Sequence, residues 1–130
     1  MSNIRAILID PFACTVTEIE HDASDYKNVY PLLSHETMPV RMFQIVRIGD
    51  DGDAIFVDEE GLLKPCDRWF ILRGFSQPLA GKGVVLGSDD EGETTSAKTS
   101  LITVRGLIRF AERQSRGLAL TEQPWRKATA

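Results

Sequence analysis

Ten of the 19 acidic residues in this 130-residue chain fall in two short stretches, Asp50, Asp51, Asp53, Asp58, Glu59 and Glu60 in the first and Asp89, Asp90, Glu91 and Glu93 in the second. Carboxylates at that density supply the oxygens of a Ca²⁺ site, which takes roughly six to eight of them from a defined loop. The spacing argues against such a site, because no Asp-x-Asp-x-Asp-Gly run is followed by a glutamate at the loop's end. The same acids read more simply as solvated turns, and no metal or cofactor is expected. Clustered carboxylates can also imitate phosphate at a basic site of another protein, so all ten are candidate partner-binding residues.

Catalytic arrangements fare worse. His21 and His35 are the only histidines, and Ser34 and His35, being neighbours, point apart in any regular element. Gly81-Lys82-Gly83 lacks the Lys-Ser/Thr ending of a phosphate loop and precedes a strand pattern where such a loop precedes a helix. Glu18 and Glu20 share one face of a hairpin, where exposed charge discourages strand addition. The chain is therefore expected not to be an enzyme. Arg105, Arg109, Arg113 and Arg116 recur at i, i+4, i+8 and i+11. On a helical wheel they oppose Leu101, Val104, Leu107, Ile108, Phe110 and Ala111. Such a face can grip nucleic-acid phosphates or an acidic protein, or it can stay solvated and pair with the chain's own acidic turns.

The elements that must position these groups follow from periodicity. Ile4 to Asp10 and Thr15 to Glu20 read as a hairpin, and Tyr26, Val29, Tyr30 and Leu33 mark a short helix near 24–34, with Asp22 or Ser24 as its cap. Pro31 either kinks that helix or falls in the first turn of one starting at Asn28. Val40 to Ile48 alternates as a strand, and the Asp51-Gly52 turn leads to its partner, Ala54 to Val57. Arg68 to Leu72 is compact and apolar, with Trp69 and Phe70 read as core, although Arg68, Trp69 and Arg73 would also suit an interface. Gly81 to Gly87 reads as the last strand, and a helix near 100–114, capped by Thr99, Ser100 or Thr103, carries the arginines. The expected fold is α+β, a small, mostly antiparallel sheet of about five to six strands with two helices. Residues 1–115 form one domain and 116–130, with Pro124 and Trp125, a flexible tail.

Composition sets the outer bounds. A hydrophobic content of 42% suffices for one core. No apolar run approaches the roughly 18 residues of a membrane span, the start lacks the layout of a signal peptide, and a cytoplasmic protein with Cys14 and Cys66 reduced is expected. The net charge of −4 hides a split: residues 1–97 carry 17 acids against 8 bases, and residues 98–130 carry 2 against 7. That asymmetry bears on partners and solubility.

Asp58-Glu59-Glu60-Gly61-Leu62, Pro65 to Arg68, Ala80 to Gly87 followed by Asp89-Asp90-Glu91-Gly92, and the segment ending near Phe110 resemble a family of small bacterial, plasmid and phage proteins known only as a domain of unknown function. The resemblance runs from about Val57 to Phe110. It departs from the family pattern around Trp69 to Pro78 and at Thr103-Val104-Arg105. It offers no catalytic residue to carry over and implies an accessory protein of a mobile element. The expected function is thus non-enzymatic binding of a host or element-encoded protein, for instance inhibition of a nucleic-acid-handling defence system. Nucleic-acid binding through Arg105, Arg109, Arg113 and Arg116 is the alternative.

Overall fold

The computed structural model describes residues 3–36, 38–114 and 117–121. Within them the chain builds two antiparallel sheets. The larger contains β1 (Asn3–Asp10), β2 (Thr15–Asp22), β3 (Phe43–Arg47), β4 (Ala54–Asp58), β7 (Gly83–Ser88) and β8 (Thr94–Thr95); the smaller contains β5 (Arg68–Leu72), β6 (Leu79–Ala80), β9 (Ile108–Gln114) and β10 (Gly117–Leu120). The larger sheet runs β2-β1-β7-β4-β3 with β8 against the end of β7, and the smaller runs β10-β9-β5-β6. With helices α1 (Val29–Leu33) and α2 (Leu101–Leu107), the fold is α+β and mostly antiparallel. No helix among the described residues is long and apolar enough to cross a membrane.

Strand alternation explains why β7 lies centrally. Val85 points between the sheets into a core with Ile7, Ile9, Val57, Phe70 and Phe110, while Val84 and Leu86 point the other way, onto Val29 and Leu33 of α1. Burying each such side chain contributes roughly 1.5–3 kcal/mol, and only an apolar run can serve both faces at once. At Gly83 any Cβ would meet Ile55 and the Phe70 ring at 2.9 Å, so the close approach of the second sheet requires glycine there.

The structure chooses between the two readings of Pro31. Asn28 caps α1 and Pro31 is its third residue, where the missing N–H is one that no helix can pair anyway. A 3-10 turn over Tyr26–Asn28 precedes it, with the Asp25 side chain accepting from the Lys27 N–H.

Three expectations are corrected at the C-terminal side. The helix near 100–114 is capped by Ser100, whose side chain accepts from the Thr103 N–H, but it ends at Leu107, and residues 108–114 are strand β9. The reason is tertiary. Gly106 weakens the helix by about 1 kcal/mol, and Ile108 and Phe110 fit a two-residue period as well as a helical one. β5 offers a full antiparallel ladder from Arg68↔Glu112 to Leu72↔Ile108. The second correction follows, because β7 is not the last strand. Third, the flexible tail expected from residue 116 instead contains β10, paired from Gly117↔Gln114 to Leu120↔Ala111. Arg116, Pro124 and Trp125 lie outside the described residues.

Candidate functional site

β4 decides which of the candidate acids meet. Its pairing with β7, Ala54↔Leu86 through Val57↔Gly83, sets the β3–β4 turn beside the turn that follows β7. The Ser88 hydroxyl donates to the Gly52 carbonyl at 3.0 Å, and Lys98 Nζ donates to the Ser88 carbonyl at 3.0 Å. Asp50, Asp51, Asp89, Asp90, Glu91 and Glu93 are therefore gathered at one end of the larger sheet, all exposed. The second turn shapes itself: Asp89 Oδ1 accepts from the Glu91 and Glu93 N–H groups, each at 2.9 Å, and Gly92 takes a φ of 83°.

The other four acids do not join them. Asp58, Glu59 and Glu60 lie at the opposite end of β4, roughly 14 Å away along a five-residue strand. Asp58 is buried and paired with Lys64 Nζ at 2.6 Å, and it also accepts from the Glu60 N–H. Asp53 is 1% exposed. Its carboxylate accepts from the Lys98 N–H, and Oδ2 takes the Thr99 N–H and the Thr99 hydroxyl, both at 2.7 Å. Neither Asp53 nor Asp58 is open to a partner.

The arginine stripe divides because its helix does. Arg105, on α2, spends Nε and Nη2 on the Val16 carbonyl of β2, at 3.1 and 2.9 Å. Arg109 and Arg113 project from the outer face of β9 with buried Ala111 between them. Arg113 lies over the Trp69 ring, 5.1 Å from its centroid, and that indole donates to the Cys66 carbonyl. Arg116 lies outside the described residues. Among the described residues, none of Arg105, Arg109 and Arg113 forms an ion pair with the acidic turns.

The arrangement that sequence reasoning missed lies around Leu107, at the C-terminal end of α2. A cleft of about 400 Å³ is lined by Ile71, Arg73, Gly106, Leu107 and Arg109. A second, also about 400 Å³, runs from Leu107 past Thr103 and Thr99 to Asp50 and Asp51. A smaller one of about 190 Å³ includes Arg47, Leu72, Arg73, Phe75 and Leu107. Arg47, Arg73 and Arg109 stand far apart in sequence, so only the strand pairings could have revealed their grouping.

Among the described residues, no histidine or cysteine lines these clefts. His21 is buried on the α1 side of the sheet, where desolvation lowers its pKa against the opposing pull of Asp22. The Asp22 carboxyl is itself held low, chiefly by the Ser24 N–H. The His35 ring stacks on Phe12 with centroids 3.8 Å apart, while Ser34 Oγ accepts from the Val40 N–H. Burial pushes the Cys66 thiol up, and its Sγ lies 3.0 Å from the Arg68 carbonyl it donates to. Among the described residues no three of His, Cys, Asp and Glu gather as a metal site.

Residues 4–111, from β1 into β9, match the model of a domain of unknown function, DUF3846. The chain belongs to that family. The match reaches well beyond the stretch from Val57 to Phe110 and takes in both sheets except β10 and the last three residues of β9. This DUF3846 chain is also similar to the uncharacterized protein y4iR of Sinorhizobium fredii (strain NBRC 101917 / NGR234), 32% identical over 89 residues that make up 68% of this chain and 52% of that protein. It thus spans about half the length of the curated relative it matches. No solved structure matches it. All ten candidate acids and the three arginines around Leu107 fall inside the region that defines the DUF3846 family, whereas Arg113, Arg116 and β10 fall outside it.

Proposed function

We propose that this DUF3846 chain is a non-enzymatic accessory protein of a mobile element, and that it binds a host or element-encoded protein through the acidic end of its larger sheet. The observation that carries the reading is the β4–β7 register. It brings Asp50 and Asp51 beside Asp89, Asp90, Glu91 and Glu93, with Lys98 as the nearby cation. Six exposed carboxylates gathered at one sheet end steer a basic partner and repel a polyanion. Inhibition of a nucleic-acid-handling defence factor is one form of this function, in which the carboxylates occupy the positions phosphates would take on that factor.

The test is affinity capture from host-cell lysate with the natural chain, with the quadruple variant D50N/D51N/D89N/D90N, and with E59Q/E60Q as a far-end control. The expected result is a basic protein captured by the natural chain and the control, lost by the quadruple variant, and released as salt shortens the screening length from about 10 Å to about 3 Å. The reading fails if the quadruple variant keeps that partner with unchanged affinity, or if the far-end control loses it equally.

A further inference from the structure

We propose that Arg47, Arg73 and Arg109 form a second site, beside the acidic end but on the other side of Leu107, that takes a ligand bearing several phosphates. The three reach it from separate elements. Arg47 ends β3, Arg73 follows β5, and Arg109 lies on β9 directly opposite Ile71. The Arg73 N–H donates to the Leu107 carbonyl at 2.8 Å, which extends the β5–β9 ladder by one step. Arg73 and Arg109 then stand as diagonal cross-strand neighbours, within reach for side chains of this length. They flank one cleft, and Arg47 and Arg73 flank the smaller cleft next to it, over the apolar side chains of Leu72 and Phe75.

Two further facts point to an anion. All three arginines are exposed, and their guanidinium groups make no hydrogen bond or ion pair among the described residues. Every other arginine described except Arg41 has a partner for its side chain: Arg5 takes Glu18, Arg68 takes Glu112, Arg105 takes the Val16 carbonyl and Arg113 lies on Trp69. Three guanidinium groups that line adjoining clefts and have no partner among the described residues exceed what one carboxylate can satisfy. A short run of phosphates satisfies them, one fork to each. Asp50 and Asp51 line the neighbouring cleft on the far side of Leu107, and they close that direction to a polyanion, so the ligand lies along the line from Arg47 to Arg109. Several phosphates in a row occur both in the anhydride-linked tail of a free nucleotide and, spaced by sugars, in the backbone of a nucleic-acid strand.

The experiment titrates the full chain at low salt with sodium tripolyphosphate, with ATP and with a single-stranded oligothymidine, by calorimetry and fluorescence anisotropy. R47Q, R73Q and the double variant R73Q/R109Q are compared with R41Q, which lies beyond the opposite end of β3. Binding is expected to weaken by about tenfold for each single loss and further in the double variant, with R41Q unchanged. Equal binding of tripolyphosphate and ATP assigns the site to free phosphate chains. Binding of the oligonucleotide alone, with a salt slope that falls by about one for each arginine removed, assigns it to a strand. Failure of all three probes, or binding that the arginine variants leave unchanged, overturns the site. The exposed single variants R47Q and R73Q keep the test decisive if the double variant folds poorly, and R73Q, at the end of β5 in the smaller sheet, leaves the acidic turns on which the proposed partner binding depends untouched.

Discussion

Asp53→Ala removes the acceptor of two backbone N–H groups and one hydroxyl at a site where the carboxylate is 1% exposed. Each donor stranded away from water costs about 1–3 kcal/mol. Lys98 is exposed and Thr99 half-buried, so water can reach part of the gap, and the low end of the range applies to each: the loss is about 3 kcal/mol in all. With a urea m-value near 2 kcal/mol/M, the unfolding midpoint should drop by about 1.5 M at unchanged slope. Asp53→Asn keeps one oxygen where Oδ2 stands, preserves the Thr99 contacts without the charge, and should lose only about 1 kcal/mol. Asp50→Asn, Asp51→Asn and Asp90→Asn, each at an exposed turn position, should stay within about 0.5 kcal/mol of the natural chain. A midpoint for Asp53→Ala within about 0.3 M of the natural one, or equal losses across all four sites, would refute the division of these acids into those that hold the fold and those open to a partner.

Gly87→Ala places a Cβ against the Ser96 carbonyl oxygen and 2.8 Å from Thr95 Oγ1. Backbone cannot yield as a side chain does, so a loss of about 2 kcal/mol with detachment of β8 is expected in urea unfolding; a fully stable variant would show that β8 does not pack where the Gly87↔Thr95 register puts it. His21 gives the chain a dependence on pH, because burial holds its folded pKa below the value of the free imidazole, about 6.5. The unfolded chain takes the proton more readily, so this contribution is complete above about pH 6.5 and is lost as pH falls towards the lowered folded value. His21→Gln should flatten the slope of stability between about pH 7 and pH 5, and an unaltered slope would mean that His21 is solvated in the folded chain.

The first half of the chain is legible because its signals are local. Asp51-Gly52 marks the β3–β4 turn, and the alternation read over Val40 to Ile48 separates Val46 from Phe43 as the two cores do, although the strand is only Phe43–Arg47 and Val40 packs on Phe43's side. The second half misleads where two periods coincide. Leu107, Ile108, Phe110 and Ala111 satisfy a helical face, yet Ile108 and Phe110 also alternate with Arg109 and Ala111, and the ladder offered by β5 settles the matter from across the molecule. The arginine stripe was drawn on a helix, so it dissolved with that helix, and the grouping of Arg47, Arg73 and Arg109 had no local trace at all. Among the acids, sequence gave the clustering but not the partition. Asp51 stays in the turn while Asp53, just before β4, is buried by its bonds to Lys98 and Thr99, a contact made from across the molecule.

That partition has a structural logic of its own. Asp53 immediately precedes β4 and Asp58 closes it, so the strand carries a buried carboxylate at each end. Asp53 grips Lys98 and Thr99, the residues that lead into α2 and on to β9. Asp58 grips Lys64, which leads past Cys66 into β5. Both connections leave the larger sheet for the smaller one, and their irregular backbone there has no ladder to pair with. A carboxylate that accepts several donors at once supplies those missing partners where a turn alone could not. The pair therefore anchors both connections at their exit from the larger sheet. Of the acids left over at the turns, Asp89 still shapes its own turn and Asp51 accepts from the Asp53 N–H, while the side chains of Asp50, Asp90, Glu91 and Glu93 accept no bond among the described residues, which makes them the part of this charge pattern that a partner can shape at little cost to the fold.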